Sequence, residues 1–251
     1  MDKVNGTFYW GASASAYQTE GAWDSDGKGP SIWDEFTSLK GKIRNNDHGR
    51  FATNFYHHYK ADIQKASQLG IPNLRFSFSW PRIIPEGIGK VNPKGISYYD
   101  RIIDTCLENE IEPWFTLYHW DLPQALEEKG GWTNREIIKW FSEYVAVCAT
   151  RFGDRVINWM VLIEHMVFTG AGYFLGVHAP GKKGMRKLLP AIHHPTMCQA
   201  EGGRVLRDIL PTGSKIGTTF SSSYVTPYTD TEKDIRATRR IDTLLNRLFL
   251  E

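Results

Sequence analysis

The sequence predicts an α/β fold: a partial (β/α)8 TIM barrel of roughly five βα units, forming a single domain over residues 1–251. Three observations predict it. Short apolar runs alternate about five times with stretches of helical periodicity, the pattern of a parallel sheet. The runs end on polar or aromatic residues (Gln18, Arg75, His119-Trp120-Asp121, Glu164 and Ser221 to Tyr224), and such convergence from several strand ends belongs to a barrel. Long loops consume the remaining length, so about five strands fit where a closed barrel has eight.

Taken in order, Phe8-Tyr9-Trp10-Gly11 reads as a short aromatic strand ending in the small residues Ala12 to Ala16. The glycine-rich stretch Gly21 to Pro30 reads as a long loop. Asn54 to Leu69 carries Phe55, Tyr59, Ile63, Ala66 and Leu69 at helical spacing, with Gly70 as the C-terminal stop and Phe55 and Tyr59 assigned to the core. Asn73 to Phe78 is a second strand and Pro81 to Pro85 a loop. Asn92-Pro93 opens a helix marked by Ile96, Tyr99, Ile103 and Cys106, and Glu112 to Leu117 is a third strand. Thr133 and Glu136 form a capping box before a helix with Ile137, Phe141, Val145 and Cys148 on one face. Leu188 to Ile209 has helical character, but Pro195 should kink that helix or mark its true start. Lys215 to Phe220 is a fifth strand, and Asp230 to Glu251 a last amphipathic helix whose charges from Glu232 to Arg240 face solvent.

The fourth strand, Trp159 to Ile163, is apolar at every position, so both faces are covered. It delivers the carboxylate of Glu164 straight off its end, where parallel α/β folds keep their chemistry.

Composition narrows the function. Thirty basic and 28 acidic residues are well mixed and leave a net charge of +2, so no field points to nucleic acid or acidic lipid. Nine Trp, eleven Tyr and thirteen Phe exceed the needs of such a core and suit stacking on flat apolar ligands such as sugar faces. No glycine-rich phosphate loop follows a strand, so no cofactor is expected. Cys106, Cys148 and Cys198 are widely spaced within predicted helices, which fits buried thiols in a reducing compartment. The adjacent pairs His57-His58 and His193-His194 point about 100° apart on a helix and are expected in solvent or at caps, so no metal site is expected either. MDKVNGTFYW has no apolar signal core and no run approaches a membrane span, so a cytoplasmic protein without membrane partners is expected.

Four segments carry a resemblance: FYWGASASAYQTEGAW (Phe8 to Trp23), LRFSFSWPRI (Leu74 to Ile83), LYHWDLPQALEEKGGW (Leu117 to Trp132) and GYFLGVHAPG (Gly172 to Gly181). Together, and in this order, they resemble glycoside hydrolase family 1, retaining β-glucosidases and β-galactosidases on a (β/α)8 barrel. The resemblance implies that Glu164 is the acid/base, that Gln18 and His119 bind sugar hydroxyls, that Trp120 lines the same site, and that Arg75 sits beside the nucleophile. It also implies an amino-terminal portion, because the family's I/V-T-E-N-G nucleophile motif has no counterpart among these residues.

The acid/base motif departs from the family's T-x-N-E-P, reading Val161-Leu162-Ile163-Glu164-His165. Ile163 replaces the asparagine that the resemblance assigns to the sugar 2-hydroxyl, and His165 the proline that fixes the turn. The 251 residues alone are therefore expected to be inactive or weakly active toward a β-glucoside-type sugar. A non-catalytic sugar-binding relative and a self-assembling half-barrel scaffold are the other readings. Open sheet edges and a bare inner face predict a homo-oligomer, a dimer, or a complementing carboxyl-terminal part.

Overall fold

The computed structural model describes residues 8–248. Five strands pair in parallel and in chain order: β1 (Ala12–Ser13), β2 (Asn73–Ser77), β3 (Glu112–Tyr118), β4 (Asn158–Ile163) and β5 (Lys215–Thr219). Between β1 and β2 lie α1 (Ala16–Thr19), α2 (Ile32–Ser38) and α3 (Phe55–Gln68); α4 (Trp80–Ile83) and α5 (Pro93–Glu108) follow β2. α6 (Gln124–Glu128) and α7 (Ile137–Phe152) follow β3, and α8 (His165–Thr169), a π-helical stretch Gly170–Leu175 and α9 (Met185–Ile209) follow β4. After β5 comes α10 (Glu232–Asp242), none of it buried, then a π-helical turn Thr243–Arg247.

The register places Arg75 of β2 opposite Ser13 of β1 and Trp114 of β3, with Asn158 and Lys215 continuing the row. Between Met160 and Ile163 the pairing with β5 slips, so Ile163 lies opposite Thr219. A bulge of this kind re-aims the residues at a strand's end.

The core lies between the sheet and the helices. Phe78 stacks on Phe115 at 4.2 Å and on Phe152 of α7 at 4.9 Å, and meets Tyr99 of α5 edge-on at 5.0 Å. Trp80 stacks on Tyr144 at 4.6 Å. The predicted stripes of α5 (Ile96, Tyr99, Ile103, Cys106) and α7 (Ile137, Phe141, Val145, Cys148) are all buried, as are the three free cysteines. α9 crosses β4 closely at Gly202, where a Cβ would stand 2.9 Å from a Val161 methyl and 3.0 Å from the Phe141 ring.

Several local expectations are corrected. The aromatic strand at Phe8 to Gly11 does not form: these residues are exposed and irregular, and pairing begins at Ala12. Asn73 Nδ2 donates to the Trp10 carbonyl at 2.6 Å, so a side chain takes over where the ladder stops. After the predicted loop, Ser31 caps α2 with a capping box to Asp34. Pro81 lies in the first turn of α4, where its missing N–H costs nothing. Thr133 and Glu136 form no capping box: the Thr133 hydroxyl donates to Gly130 O at 2.6 Å within a 3-10 turn, and Asn134 Oδ1 accepts the Glu136 N–H at 3.0 Å. Pro195 neither starts nor interrupts α9, which runs from Met185 through Pro190 and Pro195. An interior proline costs ~3 kcal/mol; burial of Leu188, Ala191, Pro195, Cys198 and Leu206 on one face offsets it. Leu69, read as part of the α3 face, is 71 % exposed. The last helix stops at Asp242, and its predicted end at 249–251 lies outside the described residues.

A buried ion pair joins the end of α1, after β1, to α4, after β2. Arg82 Nε donates to Glu20 Oε2 at 2.9 Å, and its guanidinium lies 4.4 Å from the Tyr56 ring centroid. Tyr99 Oη donates to Glu20 Oε1 at 2.7 Å and accepts the Ser79 N–H at 2.6 Å. Breaking one partner of such a pair strands the other charge in a low-dielectric interior. Glu20→Ala is expected to cost about 3–5 kcal/mol, measured as a lower urea midpoint; a loss below about 1 kcal/mol, the range of an exposed pair, contradicts this account.

Candidate active site

β4 is buried along nearly its whole length, so the first position able to carry a charge is the residue just past it. Glu164 occupies that position, half-buried, in a left-handed conformation (φ 53°, ψ 58°) at the N-cap of α8. A non-glycine residue there is held against a steric cost, which the surrounding bonds must over-determine. They do: the Glu164 N–H donates to Thr219 O of β5 at 2.7 Å, and its carbonyl accepts from Val167 at 2.9 Å.

Arg75 approaches from the opposite side of the sheet's inner face. Its Nη1 donates to Thr219 Oγ1 at 3.2 Å, so the side chain of β2 reaches the end of β5 past two intervening strands. Only an inward-curved sheet allows that span. Burial lowers the Arg75 pKa from its ordinary value, and the negative charge of Glu164 acts in the other direction. The cation expected beside a nucleophile is thus held by a threonine hydroxyl and the field of Glu164.

His119 follows β3. Burial, and secondarily the charge of Arg75, push it down to about 4, which leaves the ring neutral near pH 7. Trp120, next in sequence, is also left-handed (φ 77°), and its Nε1 donates to the Ile163 carbonyl at 3.1 Å. That bond ties the rim of β3 to the rim of β4, one residue before Glu164. Arg75, His119, Trp120 and Glu164 therefore converge on one rim. Gln18 is exposed on α1, and among the described residues no hydrogen bond joins it to the other four.

Two aromatic groups extend the rim that the sequence did not single out. His178 lies 5.9 Å from Trp120 and 5.4 Å from Trp33, and Trp33 lies 5.8 Å from Tyr17. The signal for Trp33 was the Ser31-x-x-Asp34 capping pattern opening its helix. The segment of His178 is clasped by Glu127, which accepts from Tyr173 Oη at 2.5 Å and pairs with Lys182. His165 is not a second base at the rim: it is 1 % exposed, stacked 5.5 Å from Phe220, and burial pushes it to about 4. His194 departs from its expected solvated role; it is buried, its Nδ1 donating to the Trp132 carbonyl at 2.9 Å. No helix among the described residues is long and apolar enough to cross a membrane.

Comparison with known proteins finds relatives along nearly the whole chain. The family model Glycosyl hydrolase family 1 matches residues 1–251. Beta-glucosidase A of Thermotoga maritima is 47 % identical over 232 residues, 92 % of this chain and 52 % of its own length. A 1,4-beta-D-glucan glucohydrolase of Thermotoga neapolitana is 45 % identical, over 95 % of this chain and 56 % of its own. The solved family 1 β-glucosidase from Thermotoga maritima superposes with a TM-score of 0.93 at 45 % identity, covering 95 % of this chain and 53 % of that one. The five-stranded sheet is thus a partial (β/α)8 barrel, and the chain spans about half the length of the relatives it matches.

The neutral histidine gives a pH signature. His119 has a folded pKa below its ordinary value near 6.5, so as pH falls the unfolded chain takes up the proton first. Stability is present above pH 6.5 and drains away toward pH 4, with His165 contributing in the same direction. His119→Gln is expected to make urea unfolding less steeply pH-dependent in that window, by at most one proton, about 1.4 kcal/mol per pH unit. Identical pH profiles for the two proteins contradict the assignment.

Proposed function

The chain belongs to glycosyl hydrolase family 1, and we propose that it carries the acid/base half of a retaining β-glucosidase site. One observation carries this reading: Glu164 projects from the end of β4 in the field of Arg75, on the rim shared with His119 and Trp120. A retaining glycosidase works with two carboxyl groups about 5–5.5 Å apart. In the proposed scheme Glu164 protonates the glycosidic oxygen as the aglycone leaves, while a second carboxylate attacks the anomeric carbon from the other face. Glu164 then removes a proton from water, which displaces the enzyme carboxylate and releases the sugar. His119, neutral at working pH, and Gln18 take sugar hydroxyls, and the indole of Trp120 lies against the ring. Arg75 favours the charged form of the second carboxylate, as an adjacent cation does.

That second carboxylate is proposed to come from polypeptide that continues the sheet from β5 round to β1. Both β1 residues are exposed, and among the described residues β5 pairs on one side only. The 251 residues alone are expected not to hydrolyse an aryl β-glucoside. Adding a carboxyl-terminal family 1 segment is expected to restore turnover, and Glu164→Gln to lower it at least about 100-fold. Restored turnover that survives Glu164→Gln sinks the assignment. Ile163 and His165, both buried, favour the second reading, a relative that binds sugar without turning it over. Calorimetric heat with glucose and no hydrolysis after complementation supports that reading instead. A second copy of the chain over the open face is the other proposed partner, and a dimer mass by light scattering tests it.

A further inference from the structure

Phe8 to Gly11 reads as a strand in the sequence but runs irregularly in the structure, and its contacts account for the difference. Tyr9 stands just before β1, at one edge of the sheet. Its hydroxyl nevertheless accepts from Nζ of Lys215, the first residue of β5 at the other edge, at 3.0 Å. The same ammonium lies 4.7 Å from the Tyr9 ring centroid, and that ring meets Trp114 of β3 edge-on at 5.8 Å. Trp114 and Lys215 share the row that carries Arg75, so the segment crosses the inner face from edge to edge.

The crossing is held lightly. Phe8, Tyr9 and Trp10 stay 74 %, 52 % and 72 % exposed, and a hollow of about 290 Å³ remains, lined by Tyr9, Trp10, Arg75 and Trp114. A cover that buries so little and leaves such a gap forfeits much of the packing open to it.

The backbone can form a strand here on one side only. Extending the β1–β2 register places Trp10 opposite Pro72, which has no N–H and whose carbonyl already accepts from Glu112 at 2.9 Å. Asn73 Nδ2 holds the Trp10 carbonyl. The aromatic run Phe8-Tyr9-Trp10 favours extended structure. Its strand partner must therefore come along the outer edge of β1, which no described strand pairs.

We propose that Phe8 to Gly11 is a displaceable strap: it covers the inner face of the sheet, and it releases Lys215 to become strand when a further strand pairs along the outer edge of β1. The occupant of that edge is the carboxyl-terminal family 1 segment invoked above for the second carboxylate, and the inference rests on that reading. The strap lies over the face that this segment closes, so part of the segment's binding goes into displacing Tyr9.

The test uses the 251-residue chain labelled with 3-fluorotyrosine, alone and with a carboxyl-terminal family 1 segment added in trans. The Tyr9 fluorine resonance is assigned through Tyr9→Phe. In the chain alone, Lys215→Met is expected to shift that resonance; Lys215 is exposed, so the variant keeps its fold. Adding the segment is expected to move the Tyr9 resonance of the unaltered chain and to slow amide exchange at Trp10 and Gly11. Calorimetry is expected to show Lys215→Met binding the segment about fivefold more tightly, a readout that needs no turnover. A bound segment that leaves the Tyr9 resonance and these amides unchanged overturns the strap and leaves the reading of the active site standing. An unshifted resonance in Lys215→Met overturns the strap as well. A segment that binds neither protein overturns both. A Tyr9 shift that follows the concentration of the chain alone, in step with a dimer mass, overturns the choice of occupant.

Discussion

Parallel pairing in chain order is the constraint on which the rest of this structure depends. With β1 to β5 all pointing one way, every strand delivers its last residues to the same rim. A buried strand tolerates no charge along its length, so polar groups collect at that rim. Glu112 and Lys215 sit at the first positions of their strands, while Arg75, in mid-strand, crosses the inner face to Thr219. The same guanidinium helps to keep His119 neutral and faces the charge of Glu164. Curvature, charge and the placement of the carboxylate are thus one arrangement.

The rim is held stiffly at the two places where its backbone is left-handed, Trp120 and Glu164. Each is bonded to the neighbouring strand: Trp120 to the end of β4, Glu164 to the end of β5. Three adjacent strand ends are therefore locked in sequence. Around them the Glu127 clasp holds the segment of His178 against Trp33 and Trp120. The aromatic excess in the composition divides between this arc and the stacked core of Phe78, Phe115 and Phe152.

What could be read from the sequence follows from how much each element depends on its neighbours. β3 and β4 were legible because burial leaves them largely apolar runs, whereas β2 and β5, only partly buried, were legible from their place between stretches of helical periodicity. β1 was not, since two small residues on an edge carry no periodicity and the louder aromatic signal at Phe8 to Trp10 lies just outside it. The capping of α7 was misread because Asn134, not Thr133, meets the free N–H. At the candidate site, Glu164, Arg75, His119 and Trp120 were found because strand ends are where such groups gather. Trp33 and His178 escaped because their meeting is purely tertiary, with more than a hundred residues between them. His194 was likewise drawn inward by a carbonyl, that of Trp132, far away in sequence.

The chain-order sheet also bears on how the molecule comes to be made. Each strand after the first pairs with the one synthesised just before it, so no strand waits on a distant partner still to be translated. Domains that emerge amino-terminus first can then grow edge by edge, each new βα unit docking on a template already in place. Once β2 has found β1, the exposed edge moves outward by one strand at a time, and the helices cover it in turn. The ribosome's direction and the sheet's direction of growth coincide.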